Sequence, residues 1–534
     1  MNRIRILDCT LRDGGYINHF RFGDRTICYI ISKLTKSSID IIECGFLQSG
    51  AFDRDCSLYG SIGAIRQHIG EKNKNLMYVA MIQYGGISNE EIEPYDGTSV
   101  DGIRITFHEH EIDDAFILGR QLMDKGYQVF MQPVGTVTYT DEALLKLIAR
   151  INTLKPYAFY IVDTLGTMYK NDLLRMFYLV DHNLDKRIAV GFHSHNNLQL
   201  SFANAQELMQ LNTPRQLIID ASVYGMGRGA GNLHTELVTQ YINANFGLQY
   251  DNWEILEIID QHIKPLSLRY TWGYDAAYYI ASITGCHPNY ASFLLNKQTL
   301  HVQDIYSILN SLSPERRALF DKEYIGEEYL RHMNRRVDDR DAVEALRELI
   351  AGKKILLLAP GKSLRTRTGE LCRLIEGGDY FTISVNFIPR DIPVDMAFIS
   401  NMKRFRSVCE LAEYSDRNIR VVVTSNINTE DSEGVTVLDF SSYINEEQSI
   451  ADNAGLMCMN LLKKLGAHSL LLAGFDGFAD NQRENYYKDS LLIDVETERL
   501  HRINAATTAK IGQLRSQMEI TFLTNSVYQS EEHQ

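Results

Sequence analysis

Residues 188–197, IAVGFHSHNN, decide the fold, because an apolar run rich in β-branched residues ends here in a cluster of histidine and asparagine. Such a run is typical of a buried β-strand. His193 and His195 are two residues apart, and side chains alternate along a strand, so the pattern predicts both imidazoles on one face. Two neutral imidazoles on one face form half of a metal site. The alternative is a hydrogen-bonded histidine pair that holds no metal.

Seven further runs of the same kind precede and follow this stretch. The eight predicted strands cover residues 4–8, 39–44, 76–82, 102–106, 127–132, 159–163, 188–193 and 217–222. Between them, segments such as 113–125 and 141–152 carry apolar residues at three- and four-residue spacing, which is typical of amphipathic helices. Eight strand-then-helix units in about 240 residues predict a (β/α)8 TIM barrel within an α/β protein. An open, doubly wound sheet is the alternative.

The sequence predicts two further regions after a barrel of residues 1–250. Residues 251–350 are mostly helical and highly charged, which indicates a helical extension and linker. Residues 351–534 begin with KKILLLAPGKSL at 353–364 and repeat short strand-like runs at 381–385, 396–399, 419–424 and 469–473. This pattern predicts a smaller, open and parallel α/β domain. ILLLAPGKSL at 355–364, SVNFIPRDIPVDMAFIS at 384–400 and LLAGFDGF at 471–478 resemble the Rossmann-like fold of sialyltransferase-type and pterin-pyrophosphokinase-like proteins. The resemblance implies a nucleotide or nucleotide-sugar ligand, with a degenerate packing or regulatory domain as the equal alternative.

The segment APGKSL at 359–364 invites comparison with a phosphate-binding loop. That motif requires glycine five residues before the Gly-Lys pair, and Leu356 occupies the position. A phosphate-binding loop of the type that binds nucleoside triphosphates is therefore not expected. Backbone amides after the strand could still meet an anion.

Composition narrows the class of protein. The 534 residues carry 54 Lys and Arg against 68 Asp and Glu, a formal net charge of −14, so we expect no nucleic-acid partner. No apolar run approaches the roughly 18 residues that a membrane span needs. The strand predicted at the start of the chain leaves no room for a secretion signal, so we expect a cytoplasmic protein. The eight scattered cysteines are expected to be reduced.

Two other motifs fall at the ends of predicted barrel strands, where barrel enzymes place their active sites. They are DCTLRDGG at 8–15 and GMGRGAGN at 225–232. Asp13, in the first motif, is the natural partner for His193 and His195. Two histidines and one carboxylate with open positions suit a borderline or hard divalent ion.

Four ordered segments resemble the barrel lyases, synthases and aldolases related to 3-hydroxy-3-methylglutaryl-CoA lyase. They are LDCTLRDGGY at 7–16, VDTLGTM at 162–168, GFHSHNNLQLSFANA at 191–205 and IDASVYGMGRGAGNLHTELV at 219–238. HPNYASFLL at 287–295 is similar to the post-barrel tyrosine segment of the 4-hydroxy-2-oxovalerate type of pyruvate aldolase. The synthases carry Glu-Gln after Arg-Asp-Gly, where this chain has Gly15-Tyr16, and the CoA lyases carry a reactive cysteine in the last glycine loop, where this chain has none.

The resemblance implies a metal site and a substrate site. Asp13, His193 and His195 would bind Mn²⁺ or Mg²⁺, with Asn232 as an additional ligand. Arg12 would face the 2-oxo acid, Thr164 would contact pyruvate, and Tyr290 would lie near the acceptor aldehyde. For Thr164, a turn hydroxyl at the end of a strand is the equal alternative.

The resemblance leaves the general base open. Aldolases of this type hold a histidine three residues after the metal aspartate, and Tyr16 stands there instead. Tyr16 would bind substrate or relay a proton through water, and His19 is the rival base. Gly229 and Gly231 would present a substrate anion to the following helix, or simply close the barrel.

We therefore expect a metal-dependent, class II type aldolase that makes or cleaves a 4-hydroxy-2-oxo acid from pyruvate and an aldehyde. A link to sugar or polysaccharide metabolism rests on the second domain alone. The alternatives are an acyl-CoA-dependent synthase, an HMG-CoA lyase-like enzyme, and a catalytically inert barrel scaffold. The expected assembly is a homodimer.

Overall fold

The computed structural model describes residues 3–50, 52–297, 299–413, 419–429, 434–479, 485–487 and 497–529. The chain divides into two compact units. The first comprises Met1–Ser292 with Leu309–Phe320, and the second comprises Phe293–Ile308 with Asp321–Gln534.

The first unit is built on a closed parallel barrel. Its described strands are β1 (Ile4–Asp8), β2 (Ile41–Leu47), β3 (Leu58–Tyr59), β4 (Met77–Gln83), β5 (Gly102–Phe107), β6 (Gln128–Pro133), β7 (Ala158–Asp163), β8 (Ala189–Ser194) and β9 (Leu217–Ala221). β1 pairs in parallel with both β2 and β9, which closes a ring of eight strands, while the two-residue β3 attaches to β2 outside it. The predicted TIM barrel is confirmed.

The short helix α1 (Thr10–Asp13) lies just after the carboxyl end of β1. Longer helices follow most barrel strands and cover the outside of the ring. They are α2 (Asp24–Lys36), α3 (Ile62–Ile69), α4 (Ile112–Asp124), α5 (Asp141–Leu154), α6 (Lys170–Asn183), α7 (Ser201–Gln210) and α8 (Thr235–Phe246). The unit between β4 and β5 departs from the expected repeat, because it holds only the 3₁₀ turn Asn89–Glu91. Its sequence, rich in glycine and polar residues, lacks a helical apolar face.

Alternation along the strands separates two apolar cores. Leu7, Val79, Phe130 and Ile218 belong to a cluster distinct from the larger core between strands and helices, and this smaller cluster fills the ring. His193 lies on the same face of β8 as Ala189 of the inner cluster, because the two are four residues apart. The inner face thus becomes polar toward the carboxyl ends of the strands.

Short helices continue the chain after the barrel. They are α9 (Asn252–Ile258), α10 (Lys264–Ser267), α11 (Ala276–Ile283), α12 (Pro288–Leu295), α13 (Val302–Ser311), α14 (Pro314–Arg317), α15 (Lys322–Met333) and α16 (Arg340–Ile350). The two compact units divide this helical region between them.

The second unit holds a second parallel sheet. Its described strands are β10 (Lys354–Leu358), β11 (Tyr380–Val385), β12 (Met396–Ile399), β13 (Arg420–Thr424), β14 (Thr436–Leu438), β15 (Ser469–Ala473) and β16 (Glu519–Phe522). Their order is β14-β13-β12-β11-β10-β15-β16, and all pairs are parallel. The described helices are α17 (Ser363–Glu376), α18 (Met402–Glu413), α19 (Ala454–Lys464) and α20 (Thr497–Arg515). The predicted open sheet is thus present, with β14 and β16 added to the predicted strands.

Two general expectations can be compared with the structure. All eight cysteines lie in the described ranges, and none forms a disulfide. Among the described helices, none has the length and apolarity that a bilayer crossing requires.

Candidate active site

A cavity of about 400 Å³ opens at the carboxyl ends of the barrel strands. Arg12, Thr164, His193 and His195 line it, each at or just after the end of a strand. The ring therefore brings residues from distant motifs onto one axis, as the barrel geometry requires.

Asp13, His193 and His195 form a buried cluster on this axis. One potential ligand atom from each residue lies within 4.8 Å of the others, and Oδ2 of Asp13 is 3.9 Å from Nδ1 of His195. Nδ1 of His195 is buried and has no hydrogen-bond partner among the described residues. A buried nitrogen lone pair facing a carboxylate is a costly arrangement unless a cation completes it.

Asp220 fixes the orientation of His193. Nδ1 of His193 lies 3.1 Å from Oδ2 of Asp220, at the end of β9. Burial opposes ionisation of Asp220, but Arg104 and His193 hold its pKa below the usual value. A carboxylate can only accept, so Nδ1 of His193 carries the proton and Nε2 keeps its lone pair for a ligand bond.

The charge states of the cluster suit a cation. Burial opposes ionisation of Asp13, yet Arg12, His195 and Arg228 together hold its pKa well below the usual range. Burial lowers the pKa of His195 to about 3, so its imidazole is neutral at pH 7. The cluster therefore offers an ionised carboxylate, Asp13, and an uncharged imidazole, His195, in the protonation states that metal ligation needs.

Asn232 completes one side of the cluster. Its Nδ2 donates to Oδ2 of Asp13 at 2.6 Å, and its Oδ1 is buried without a partner among the described residues. Gly227 makes room for this contact. A Cβ at residue 227 would lie 2.4 Å from Nδ2 of Asn232 and 2.6 Å from Oδ2 of Asp13, so only glycine fits.

Arg12 lies beside the cluster in a buried ionic network. Its Nη1 donates to Oδ1 of Asp13 at 2.7 Å and its Nε to Oε2 of Glu43 at 2.8 Å. Glu43 also pairs with Arg104 at 2.8 Å, and Arg104 pairs with Asp220. The network connects both sides of the metal cluster. Nη2 of Arg12 is buried and has no partner among the described residues, although Arg12 lines the cavity.

These residues fit a divalent ion. The donor set is one carboxylate, two imidazoles and an amide oxygen, a combination that suits hard or borderline cations. The unpartnered Nδ1 of His195 and Oδ1 of Asn232 are the two atoms that such an ion would satisfy.

Tyr16 and Arg228 form the rim of the cavity. The guanidinium of Arg228 lies over the Tyr16 ring, 4.4 Å from its centroid, and both residues line the cavity. Nε of Arg228 is 3.9 Å from Oδ1 of Asp13 and has no hydrogen-bond partner among the described residues. His19, the rival base in the sequence, has a positive φ of 55°, is exposed, and is absent from the described lining of this cavity.

Of the two other residues predicted to contact substrate, Thr164 lies in the cavity and Tyr290 lies outside its described lining. Thr164 lines the cavity, and its Oγ1 accepts from the amide of Gly135 at 2.9 Å, which leaves the hydroxyl hydrogen to donate. Tyr290 is buried, and its hydroxyl bonds the carbonyl oxygens of Arg316 at 2.8 Å and Leu319 at 2.7 Å. Tyr290 is outside the described lining of the cavity.

The glycine loop folds back on its own backbone. Gly231 has φ +81°, its carbonyl accepts from the amide of Asn196 at 2.7 Å, and a Cβ there would lie 2.1 Å from the Gly225 carbonyl oxygen. The amide of Ala230 donates to Oδ1 of Asn197 at 3.0 Å. Gly229 and Gly231 are outside the described lining of the cavity. In this structure the two glycines allow the loop to fold tightly against its own backbone.

A second group of potential ligand atoms lies at the outer surface of the barrel. Asp24, Cys28 and His68 approach one another, but Arg54 donates to Asp24 at 2.9 Å. The ring nitrogens of His68 already contact the Tyr59 hydroxyl and the Arg54 carbonyl oxygen. This group is satisfied without an ion.

Sequence reasoning missed several residues of the site. Asp220, Arg104, Arg228 and His287 were not singled out. Arg228 and His287 line the cavity, Asp220 contacts His193, and Arg104 pairs with Asp220 and Glu43 behind the lining. The available signals were a charged residue inside an apolar strand for Arg104 and Asp220, and a cation inside a glycine loop for Arg228.

The second unit has its own cavity, about 270 Å³ in volume, at the carboxyl ends of β10, β11, β12 and β15. β10 and β15 are neighbours where the strand order reverses, and ligands of open α/β sheets bind at such a point. Asp476 accepts from the Ser363 amide at 2.8 Å, so the start of α17, after APGK, is occupied by the chain's own carboxylate. The amides there are not free for an anion.

The fold and the polar cluster define a class: a TIM barrel with a two-histidine, one-carboxylate site at its mouth. Residues 118–260 match the family model described as HMGL-like. A 4-hydroxy-2-oxovalerate aldolase of Geobacillus genomosp. 3 is 24% identical over 272 residues, covering 49% of this chain and 77% of that protein. An oxaloacetate decarboxylase of Mycobacterium tuberculosis is 26% identical over 239 residues, covering 43% and 67%.

Among solved structures, the N-terminal domain of a candidate aldolase from Bacteroides vulgatus is 26% identical, with a TM-score of 0.47. The match covers 55% of this chain and 96% of that one.

Proposed function

We propose that the barrel is a divalent-metal-dependent aldolase that makes or cleaves a 4-hydroxy-2-oxo acid through a pyruvate enolate and an aldehyde. One observation carries the proposal: Nη2 of Arg12 is buried, cationic and without a described partner, beside Asp13 and the two histidines. A fixed N–H donor next to a metal-type donor set suits an oxygen whose negative charge grows during reaction. The relatives named as aldolases support the same reading.

In this proposal Asp13, His193 and His195 hold Mn²⁺ or Mg²⁺, and Asn232 supplies a further oxygen. When bound, the ion supplies Lewis acidity toward the carboxylate and keto oxygens of the 2-oxo acid. Arg12 donates from Nη2 to the C2 keto oxygen as the C3–C4 bond breaks and the enolate charge grows on that oxygen.

Cleavage requires a proton to leave the C4 hydroxyl of the substrate and a proton to reach C3 of the pyruvate enolate. We assign this relay to Tyr16, through water, because Tyr16 lines the cavity and His19 is outside its described lining. The hydroxyl of Thr164 orients the pyruvate carboxylate. Loss of one proton-transfer group typically slows turnover about 10²- to 10⁴-fold, so Tyr16→Phe is expected to retain metal and lose rate.

Decarboxylation of oxaloacetate is the second candidate, favoured by the relative with that name. It breaks the C3–C4 bond, one carbon removed from the same keto group, releases CO2 and leaves the same enolate. Comparing kcat/KM for oxaloacetate and 4-hydroxy-2-oxovalerate on the same preparation decides between the two. An acyl-CoA-dependent reaction is distinguished by whether pyruvate exchanges its C3 hydrogens with D₂O in the absence of any CoA ester.

The decisive experiment uses the full chain, purified without chelator. We expect tightly bound or titratable Mn²⁺ or Mg²⁺, C3 exchange of pyruvate in D₂O, and mass-detected adducts between pyruvate and members of an aldehyde panel. His193→Ala should lose the ion and both activities, whereas His110→Ala, at an exposed histidine, should keep them. Absence of both metal binding and exchange would favour an inert scaffold instead.

For the second unit we propose a nucleotide or nucleotide-sugar ligand in the cavity where the strand order reverses. Phe478 and Tyr486 supply rings to this cavity, and Lys297 and Arg404 supply cations. A panel of nucleoside diphosphates and their sugar conjugates should raise the melting temperature of the full chain, and Arg404→Ala should reduce that rise. If no member of the panel shifts the melting temperature, the assignment is wrong.

A further inference from the structure

His287 lines the barrel-mouth cavity, and the proposed function does not yet use it. The residue immediately precedes α12 and therefore comes from outside the ring of barrel strands. Its backbone amide donates to the Arg317 carbonyl oxygen at 2.7 Å, and its ring lies 6.2 Å from the Phe320 ring. These contacts hold the His287 imidazole in place on the wall of the cavity, although the residue belongs to no barrel strand.

A backbone contact fixes the tautomer of this ring. The amide of Asn289 donates to Nδ1 of His287 at 3.1 Å. An amide N–H can only donate, so Nδ1 is the acceptor and carries no proton. In the neutral imidazole the hydrogen must then reside on Nε2. No described residue accepts a hydrogen bond from Nε2, so this N–H is available to a molecule in the cavity.

The surroundings keep the ring neutral. Burial above all, and then the nearby Arg228, His195 and His108, lower the pKa of His287 to about 3. A neutral histidine with its hydrogen on Nε2 is a hydrogen-bond donor. It is not a base on that side of the ring.

The chemistry has an oxygen that needs such a donor. Arg12 and Thr164, at the ends of barrel strands, serve the pyruvate half of the 4-hydroxy-2-oxo acid. The oxygen on C4 becomes an alkoxide during addition and an aldehyde oxygen during cleavage. Tyr290 is the other polar ring of this segment, but two carbonyl oxygens already occupy its hydroxyl.

We propose that His287 is a catalytic residue for the acceptor half of the reaction, donating from Nε2–H to the aldehyde or alkoxide oxygen. This inference rests on the proposed aldolase function. During addition, C3 of the enolate forms a bond to the aldehyde carbon, and the carbonyl π pair moves onto the aldehyde oxygen. The hydrogen bond from His287 stabilises that charge, no proton leaves the imidazole, and the alkoxide takes its final proton from water.

The test separates the two halves of the reaction. Pyruvate C3 exchange in D₂O, followed by NMR, needs only the pyruvate half, whereas addition of pyruvate to acetaldehyde needs both. His287→Phe keeps a planar ring and removes the donor. We expect exchange within about twofold of the parent and addition slower by about 10²- to 10³-fold, the usual effect of removing one such donor. His287→Gln, which retains an N–H, should recover part of the loss.

Three outcomes would overturn the inference in distinguishable ways. If His287→Phe slows exchange and addition equally, or leaves both unchanged, His287 has no selective role in the acceptor half. If the parent protein performs no exchange, the aldolase function itself fails and this inference with it. His110→Phe, at an exposed histidine of the 3₁₀ turn Glu109–Glu111, is the matched control and should leave both rates unchanged. Melting temperatures of all variants identify any that fail to fold, and His287→Gln then carries the test.

Discussion

Nδ1 of His193 lies 3.1 Å from Oδ2 of Asp220, and this contact between neighbouring strands β8 and β9 leaves Nε2 of His193 as the ring's ligand atom. Without it the imidazole could rotate or change tautomer. Carboxylate partners of this kind raise the basicity of a metal-binding histidine and hold its direction. The metal site is therefore supported by a residue that would not itself touch the ion.

Asp220→Asn is expected to weaken Mn²⁺ binding by about 10- to 100-fold, because the amide cannot hold His193 as a carboxylate does. Titration of the metal-free protein with Mn²⁺, followed by calorimetry, measures this. Asp113→Asn, at a surface carboxylate that pairs with Arg150, is the control and should bind as the parent does. Equal affinity in Asp220→Asn and the parent would show that Asp220 does not position His193.

Gly227→Ala is expected to lower metal affinity by at least about tenfold, because the added Cβ would overlap Asn232 and Asp13. The same titration measures this loss. Gly63→Ala, in α3, is a matched control, since the nearest atoms to its Cβ lie at 3.9 Å. If both alanine variants bind Mn²⁺ like the parent, the loop has room that the geometry does not predict.

Arg12→Lys is expected to retain the metal and to lose about 10²- to 10³-fold in turnover of the 2-oxo acid. Lysine keeps a cation between Glu43 and Asp13 but removes the Nη2 donor. Metal content and kcat, measured on the same preparation, check both halves of the expectation. Turnover within a factor of two of the parent would remove Arg12 from the mechanism.

Asp8 should make stability depend on pH. It is buried at the end of β1, where it accepts from the Thr10 amide at 3.0 Å and the Thr235 hydroxyl at 2.6 Å. Burial raises its pKa to about 6, from 3.8 ordinarily. The folded protein therefore binds the extra proton between these values, so this contribution to stability is full below pH 4 and is lost as pH rises through 6.

The matching measurement is urea unfolding of the parent and of Asp8→Asn between pH 4 and 8. The free energy of unfolding of the parent, relative to that of the variant, should fall by on the order of 3 kcal/mol across that interval. Parallel pH profiles for the two proteins would contradict the buried-carboxylate explanation.

Much of the site could be predicted because its residues sit at fixed places on strands. Asp13, His193 and His195 follow from strand periodicity and the order of motifs, and they are brought together as the barrel closes. Arg104 and His287 could not be found in this way. Arg104 reaches Glu43 and Asp220 only because three strands converge, and His287 reaches the cavity from a segment that follows the barrel.

The sequence by itself determined the eight barrel strands, the second parallel sheet and the two-histidine, one-carboxylate motif. Hydrophobic periodicity and short local spacing encode each of these within a few residues. Only the tertiary structure decided which polar atoms of the described residues remain without partners, which tautomers the histidines adopt, and that the Tyr290 hydroxyl meets the carbonyl oxygens of Arg316 and Leu319. These properties depend on distances between residues far apart in the chain, and no local pattern specifies such distances.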